Sequence, residues 1–189
     1  MAPMLSHPAV ALVLVVRLYD AYGVSAGELS TARATAGSIL GHAGIPLRWV
    51  ACPCNQPVGP AELVVRITAA TSTSERDSLG FSYVDVAHGS GTLATVFVDR
   101  VRTRAGEAHV SSGQLLGRAI AHEMGHLILG TTKHDARGLM RGRWTVIQLR
   151  NNRPSDWSLP RETVVDMERA LRARLIELQK SDEVAALRP

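Results

Sequence analysis

The chain has 189 residues, enough for one domain with a real core and too few for several. Hydrophobic residues make up 46% and aromatics only 4%, so the core must come from Leu, Val, Ile and Ala. The net charge is +4, and much of the excess is late arginine (Arg137, Arg141, Arg143, Arg150, Arg153); with no nucleic-acid motif beside it, this reads as a solvated basic face and excludes nucleic acid as the expected partner.

The chain opens with an apolar run over 9–16. That is too short for a membrane span of about 20 residues. It also lacks the basic flank and small-residue cleavage site of a signal peptide. Neither a signal peptide nor a membrane partner is expected, and the compartment stays open. The valines and the following Arg17-Leu18-Tyr19-Asp20 predict a buried strand over about 10–18.

Ser25 and Glu28 form a capping box for a helix over about 26–43, stopped by Gly44 and Pro46. Strands are predicted over 45–50, 63–68, 79–86 and 93–98. The run over 79–86 has mixed polarity and suits a sheet edge. Cys52 and Cys54 are too few for a disulfide framework and read as two ordinary thiols at a strand end. Residues 100–112 read as a polar connection.

A helix over 113–129 follows, with Leu116, Ile120 and Met124 in its core stripe. A last helix covers about 159–179, with Ser158 as N-cap and Pro160 in its first turn. Val164, Met167 and Leu171 form its buried stripe. The order β-α-β-β-β-β-α-α predicts one α/β domain, its five-stranded sheet mixed but mostly parallel.

The most informative stretch is His122-Glu123-Met124-Gly125-His126, an H-E-x-x-H sequence on the helix over 113–129. Histidines at i and i+4 share one helical face, so their rings can converge on one zinc ion. Glu123 stands next to that face, where it can take a proton from water. Catalytic zinc usually has three protein ligands. His134 is the favoured third, because Gly130 can turn the chain back under the metal. Glu162, with Asp166 one turn on, is the alternative, though both read more simply as charges near a helix start. His7, His42, His88 and His109 stand alone in the sequence.

The run from His122 through Gly130 to His134, followed by Gly138-Leu139-Met140, resembles the metzincin clan of zinc peptidases. That clan carries H-E-x-x-H-x-x-G-x-x-H/D and then a turn holding a methionine beneath the zinc. The resemblance covers about residues 10–179. It implies one zinc per chain on His122, His126 and His134, with Glu123 as general base and acid and Met140 as the turn methionine. It implies a single metzincin-like domain, in which an N-terminal subdomain over about 10–130 precedes a small C-terminal one over about 131–180. The expected activity is peptide-bond hydrolysis on a peptide or protein substrate. This chain has three residues on each side of Gly130 where the clan has two, which widens the return loop. Gly142 stands two residues after Met140, so a tyrosine ligand is not expected there. The stretch through Met140-Arg141-Gly142-Arg143-Trp144 is also similar to small bacterial proteins of like length with no assigned substrate.

Overall fold

The computed structural model describes residues 13–54, 56–59, 62–71 and 78–186, and of 177–186 the backbone alone. The first strand, β1, is Leu14–Asp20; positions 10–12 of the predicted strand lie outside the described residues. It is followed by helix α1 (Ala26–His42) and by strands β2 (Leu47–Cys52), β3 (Glu62–Thr68), β4 (Gly80–Asp85) and β5 (Ser90–Phe97). The strands make one sheet in the order β2-β1-β3-β5-β4. All neighbours are parallel except β4, which runs antiparallel to β5 at the edge. The sheet is therefore mixed and mostly parallel, and the α/β class expected from the sequence holds.

Alternation sets the buried face. Leu14, Val16 and Leu18 on β1, Leu63, Val65 and Ile67 on β3, and Ala94 and Val96 on β5 are all buried, each two residues from the next. On the other face Arg17 is held by the carbonyls of Gln56 and Pro57 and by Glu62 at 2.6 Å.

Four parts of the sequence reading change; one is the last helix, which begins at Arg161, so Ser158, whose hydroxyl bonds the Ser155 carbonyl, is not its N-cap. Residues 100–112 are not a loop: helix α2 spans Val98–Ala108. Its apolar positions Val98, Val101, Ala105 and Ala108 keep a helical spacing and are buried, but the residues are small and the face between them is arginine-rich. Cys52 and Cys54 are not free thiols; they are joined by a disulfide with Cα atoms 4.7 Å apart. The capping box of α1 is half formed. Ser25 accepts the Glu28 amide at 3.3 Å, but Arg102 of α2 donates to the Glu28 carboxylate, at 2.6 and 3.3 Å.

That ion pair ties α1 to α2 and makes a pH prediction. The Arg102 guanidinium holds the Glu28 carboxyl below its ordinary 4.5, against the opposing effect of burial. A carboxylate with a lowered folded pKa stabilises above its unfolded value, and the gain is lost as pH falls through the folded one. Glu28→Gln is expected to cost about 1 kcal/mol at neutral pH. The gap to the parent should shrink as pH falls from about 6 towards 3. Denaturant melts across that range check it, and a gap that does not change with pH would overturn it.

The central helix, α3, spans Ser112–Leu129 and is capped by Ser111, whose hydroxyl accepts the Gln114 amide. It is buried on nearly every side from Leu115 to Ile128. One side packs on α1 so closely that a Cβ on Gly117 would stand 2.4 Å from the Ala32 carbonyl oxygen. Beyond it come the short helix α4 (Val146–Asn151), one 3-10 turn (Pro154–Asp156) and the last helix α5 (Arg161–Ala186). Met167 and Leu171 bury the inner face of α5. Arg174 reaches back to the carbonyls of Gly91 and Leu127, clamping the end of α3 against β5.

Candidate metal centre and cleft

Helix α3 stops where the sequence places a glycine. Gly130 is left-handed, with φ 63°, and its amide bonds the His126 carbonyl. A side chain there would also collide with the turn before β5, since a Cβ would lie 2.1 Å from the Gly89 oxygen. The chain therefore reverses at Gly130, and His134 returns to the face of the helix that carries His122 and His126.

The three rings meet through their Nε2 atoms. His126 Nε2 lies 3.1 Å from His122 Nε2 and 3.2 Å from His134 Nε2. The tautomers of the two helix histidines follow from their other nitrogens. His122 Nδ1 is 2.9 Å from the Leu139 carbonyl oxygen, and His126 Nδ1 is 2.8 Å from that of Thr131. A carbonyl only accepts, so Nδ1 carries the proton and Nε2 presents a lone pair inward. Burial holds both rings neutral: it pushes His122 down to about 4, and lowers His126 as well.

Two lone pairs aimed at each other across 3.1 Å repel unless a proton or cation sits between them. Tetrahedral zinc at about 2.0–2.1 Å from each nitrogen sets neighbouring ligand atoms about 3.3 Å apart. The donor set thus fits a metal ion. Imidazoles also suit copper, iron and nickel, so the site alone does not name the metal. The chain supplies the supports such a site needs, a backbone carbonyl behind each helix histidine.

Glu123 points elsewhere. It is 6% exposed, and the Ser82 hydroxyl lies 2.7 Å from its Oε2 and 2.8 Å from its carbonyl oxygen. Burial pushes its carboxyl up to about 7, although the Ser82 hydrogen bond favours the charged form. Its neighbour Gly80 is just as tight; a Cβ there would lie 3.0 Å from Glu123 Oε1. Ser82 was expected on the edge strand, but its contact with Glu123, 41 residues away, comes only with the fold.

Met140 is buried under the helix. A Cβ on Gly125, between the two helix histidines, would stand 2.4 Å from its sulfur. The loop that carries Met140 is fixed by Asp135, whose amide bonds the Met140 oxygen at 2.8 Å. Gly138 is left-handed at φ 74° and abuts the Ser158 carbonyl. Gly142 is close as well: a Cβ there would lie 3.1 Å from the His134 ring. Trp144 meets His122 edge-on at 5.5 Å and Trp157 at 5.4 Å.

The alternative third ligand is not brought in. Glu162 is exposed on α5, and Asp166 pairs with Arg169 at 2.7 Å. Neither belongs to the group of side chains that could hold a metal, which among the described residues is His122, His126 and His134. Of the isolated histidines, His42 bonds the Ser38 carbonyl within α1, His88 bonds Asp85, and His109 ends α2; His7 lies outside the described residues. No helix among them is long and apolar enough to cross a membrane.

The three rings and Glu123 line a cleft of about 550 Å³. One wall is the edge strand with the residues before it, 78–82; the other is the loop Arg141-Gly142-Arg143-Trp144. No protein-family profile matches the chain, and no curated protein does either.

Proposed function

We propose that this chain is a zinc-dependent endopeptidase of the metzincin type. His122, His126 and His134 would hold one zinc ion, Glu123 would be the general base and acid, and Met140 would be the methionine beneath the site. The observation that carries this reading is the meeting of three imidazole nitrogens beside a buried carboxylate that ligates nothing. When bound, zinc would polarise the scissile carbonyl and make a water acidic enough to ionise near neutral pH. Glu123 takes the proton of the attacking water and hands it to the leaving amine. Ser82 restrains the carboxylate while it does so.

A zinc-binding protein without turnover is the second reading. It has no use for a buried carboxylate held by Ser82 beside the histidines and outside their ligand group, and that favours the enzyme. The part up to about 130 and the part from about 131 to 180 would act as the two subdomains flanking the cleft. Zinc-loaded protein incubated with an unfolded protein should release peptides, stop on chelation and recover with zinc. A fully loaded protein that cleaves no peptide would remove the peptidase assignment.

Substrate would bind as an added strand on β4. The Phe97 amide bonds the Leu79 oxygen at 2.8 Å, and the next pairs are Gly80 with Val96 and Phe81 with Thr95. Alternation then turns Phe81 and Tyr83 towards β5, and Gly80 and Ser82 outward. The informative variant is therefore Ser82→Pro, which deletes an outward N–H. Tyr83→Pro would instead damage the sheet. Because Ser82 also bonds Glu123, the comparison is with Ser82→Ala. We expect Ser82→Pro to raise KM about tenfold above Ser82→Ala, the worth of one hydrogen bond. Equal KM values in two folded variants would show that peptides are not held at this edge.

A further inference from the structure

Arg118 is a buried cation that pairs with no carboxylate among the described residues. It stands one turn before His122 on α3 and is 6% exposed. Its Nη2 donates to Asn152 Oδ1, an oxygen that also accepts from Trp157 Nε1 at 3.1 Å. Its Nε is buried and bonds nothing. The guanidinium lies over the Trp157 ring, 3.8 Å from its centre. These partners are neutral: they hold the group in place without balancing its charge. Burial alone moves its pKa, down to about 10, which still leaves it charged at neutral pH.

Arg118 lines a second pocket, of about 840 Å³. The lining residues fall within 30–43, 114–118 and 154–164, stretches that are described throughout, and none of them is acidic. Helix α1 gives one wall, with Thr31, Thr35 and Ile39; Leu159 and Val164, at the start of the last helix, give an apolar one. The metal cleft is a separate space. Trp157 lines this pocket, Trp144 lines the metal cleft, and the two rings meet edge-on at 5.4 Å. A concave space of this size, with apolar walls and one fixed charged group, has the make-up of a small-molecule site.

We propose that this pocket binds a small monocarboxylate with an apolar body, its carboxylate on the Arg118 guanidinium and its body against Ile39, Leu159 and Val164. An unpaired charge held out of water is costly. A ligand carboxylate offsets that cost, because it brings both the negative charge and the acceptor oxygens that the pocket lacks. A planar guanidinium meets a carboxylate through two parallel hydrogen bonds. One cation balances one negative charge, which favours a monocarboxylate over a phosphate dianion. The Trp157 ring and the Asn152 oxygen fix the plane of the guanidinium before the ligand arrives, which lowers the cost of binding. The site needs no metal and is independent of the peptidase reading.

The test is titration calorimetry of the full-length, zinc-loaded protein with acetate, butyrate, hexanoate and octanoate. Hexanoate should bind with a Kd of about 1 mM or below. Affinity should rise roughly two- to fourfold per methylene along the series. Hexanamide, the neutral counterpart, should bind at least about tenfold more weakly than hexanoate. Arg118→Met should weaken hexanoate by at least about tenfold as well. If that variant does not fold, Ala34→Trp keeps Arg118 in place and narrows the pocket from an exposed position on α1; it should weaken hexanoate likewise. Carboxylates also bind zinc, so His134→Ala is the control, and there the affinity should be unchanged. Binding lost in His134→Ala but kept in Arg118→Met would put the acid on the metal and overturn the inference. No binding of any of the four acids, equal binding of hexanoate and hexanamide, or inorganic phosphate binding more tightly than hexanoate would each overturn it too.

Discussion

Glu123→Gln is expected to lower kcat for peptide hydrolysis by about 10²–10⁴-fold while the protein keeps its zinc. Glutamine matches glutamate in shape and can still meet the Ser82 hydroxyl, so the cleft should keep its form. What it loses is a group that can take a proton. The three Nε2 atoms are untouched, so metal content by elemental analysis should equal that of the parent. Loss of metal in a folded Glu123→Gln protein would make Glu123 a ligand or support; unchanged turnover would remove it as the base. Burial raises this carboxyl from 4.5 to about 7, and a cation among the histidines pulls it back down. The acid limb of the rate profile should therefore fall between those two values. The same shift has a sign for stability. An acid whose folded pKa is raised loses stability as pH climbs from its unfolded value through its folded one. Metal-free Glu123→Gln should thus melt above the metal-free parent at pH well over 7. On the proposed reading, a buried acid that weakens the fold is the usual trade of stability for function.

The parts of the fold that were legible are those with strong local periodicity. The helix over 26–43 and the one over 113–129 match α1 and α3 within a residue at each end. All five strands were found, because each has a β-branched or alternating run bounded by turn residues. Their order in the sheet was not legible beyond the edge assignment, since the pairing of β3 with β5 skips a strand. Helix α2 was hidden because alanine and valine at its buried positions contrast weakly with the arginines around them. Helix α4 has six residues, too few for a period to emerge. In the site, His122, Glu123 and His126 are tied by one helical turn and need no long-range contact. His134 followed from Gly130, whose left-handed turn the wider loop preserves. Ser82 and Trp144 come from other parts of the chain, so only the fold brings them to Glu123 and His122.

Removing the metal should lower the melting temperature without unfolding the protein at room temperature, and His134→Ala should mimic that loss. The core that spans the sheet, α1 and α3 is built from Leu40, Ile45, Leu63, Ile67, Leu115, Leu116 and Ile120, all fully buried and none a ligand. It should form without the metal, unlike the core of a zinc finger. A ligand bound only to the folded state adds about 4 kcal/mol when it is present at a thousand times its Kd. The melt should therefore stay cooperative and move down by roughly 8–16 °C for a chain of this size. The loss should be local first. His134 is exposed and sits between Gly130 and the Met140 loop, whose tie to α3 includes the carbonyls bonded by His122 and His126. Without a cation, the exposed His134 ring keeps at most one N···N hydrogen bond to the helix, to His126. Hydrogen exchange should therefore rise over 131–141 well before it rises in β1 or β3. His134→Ala leaves two ligands and should weaken zinc binding by more than the 10–100-fold typical of losing a supporting hydrogen bond. Glu162→Ala, at an exposed position on α5, should leave affinity unchanged. Full zinc affinity in His134→Ala together with loss in Glu162→Ala would move the third ligand to the last helix. An apo chain that is already unfolded at 25 °C would mean that the metal builds this core and does not merely fasten the loop to it.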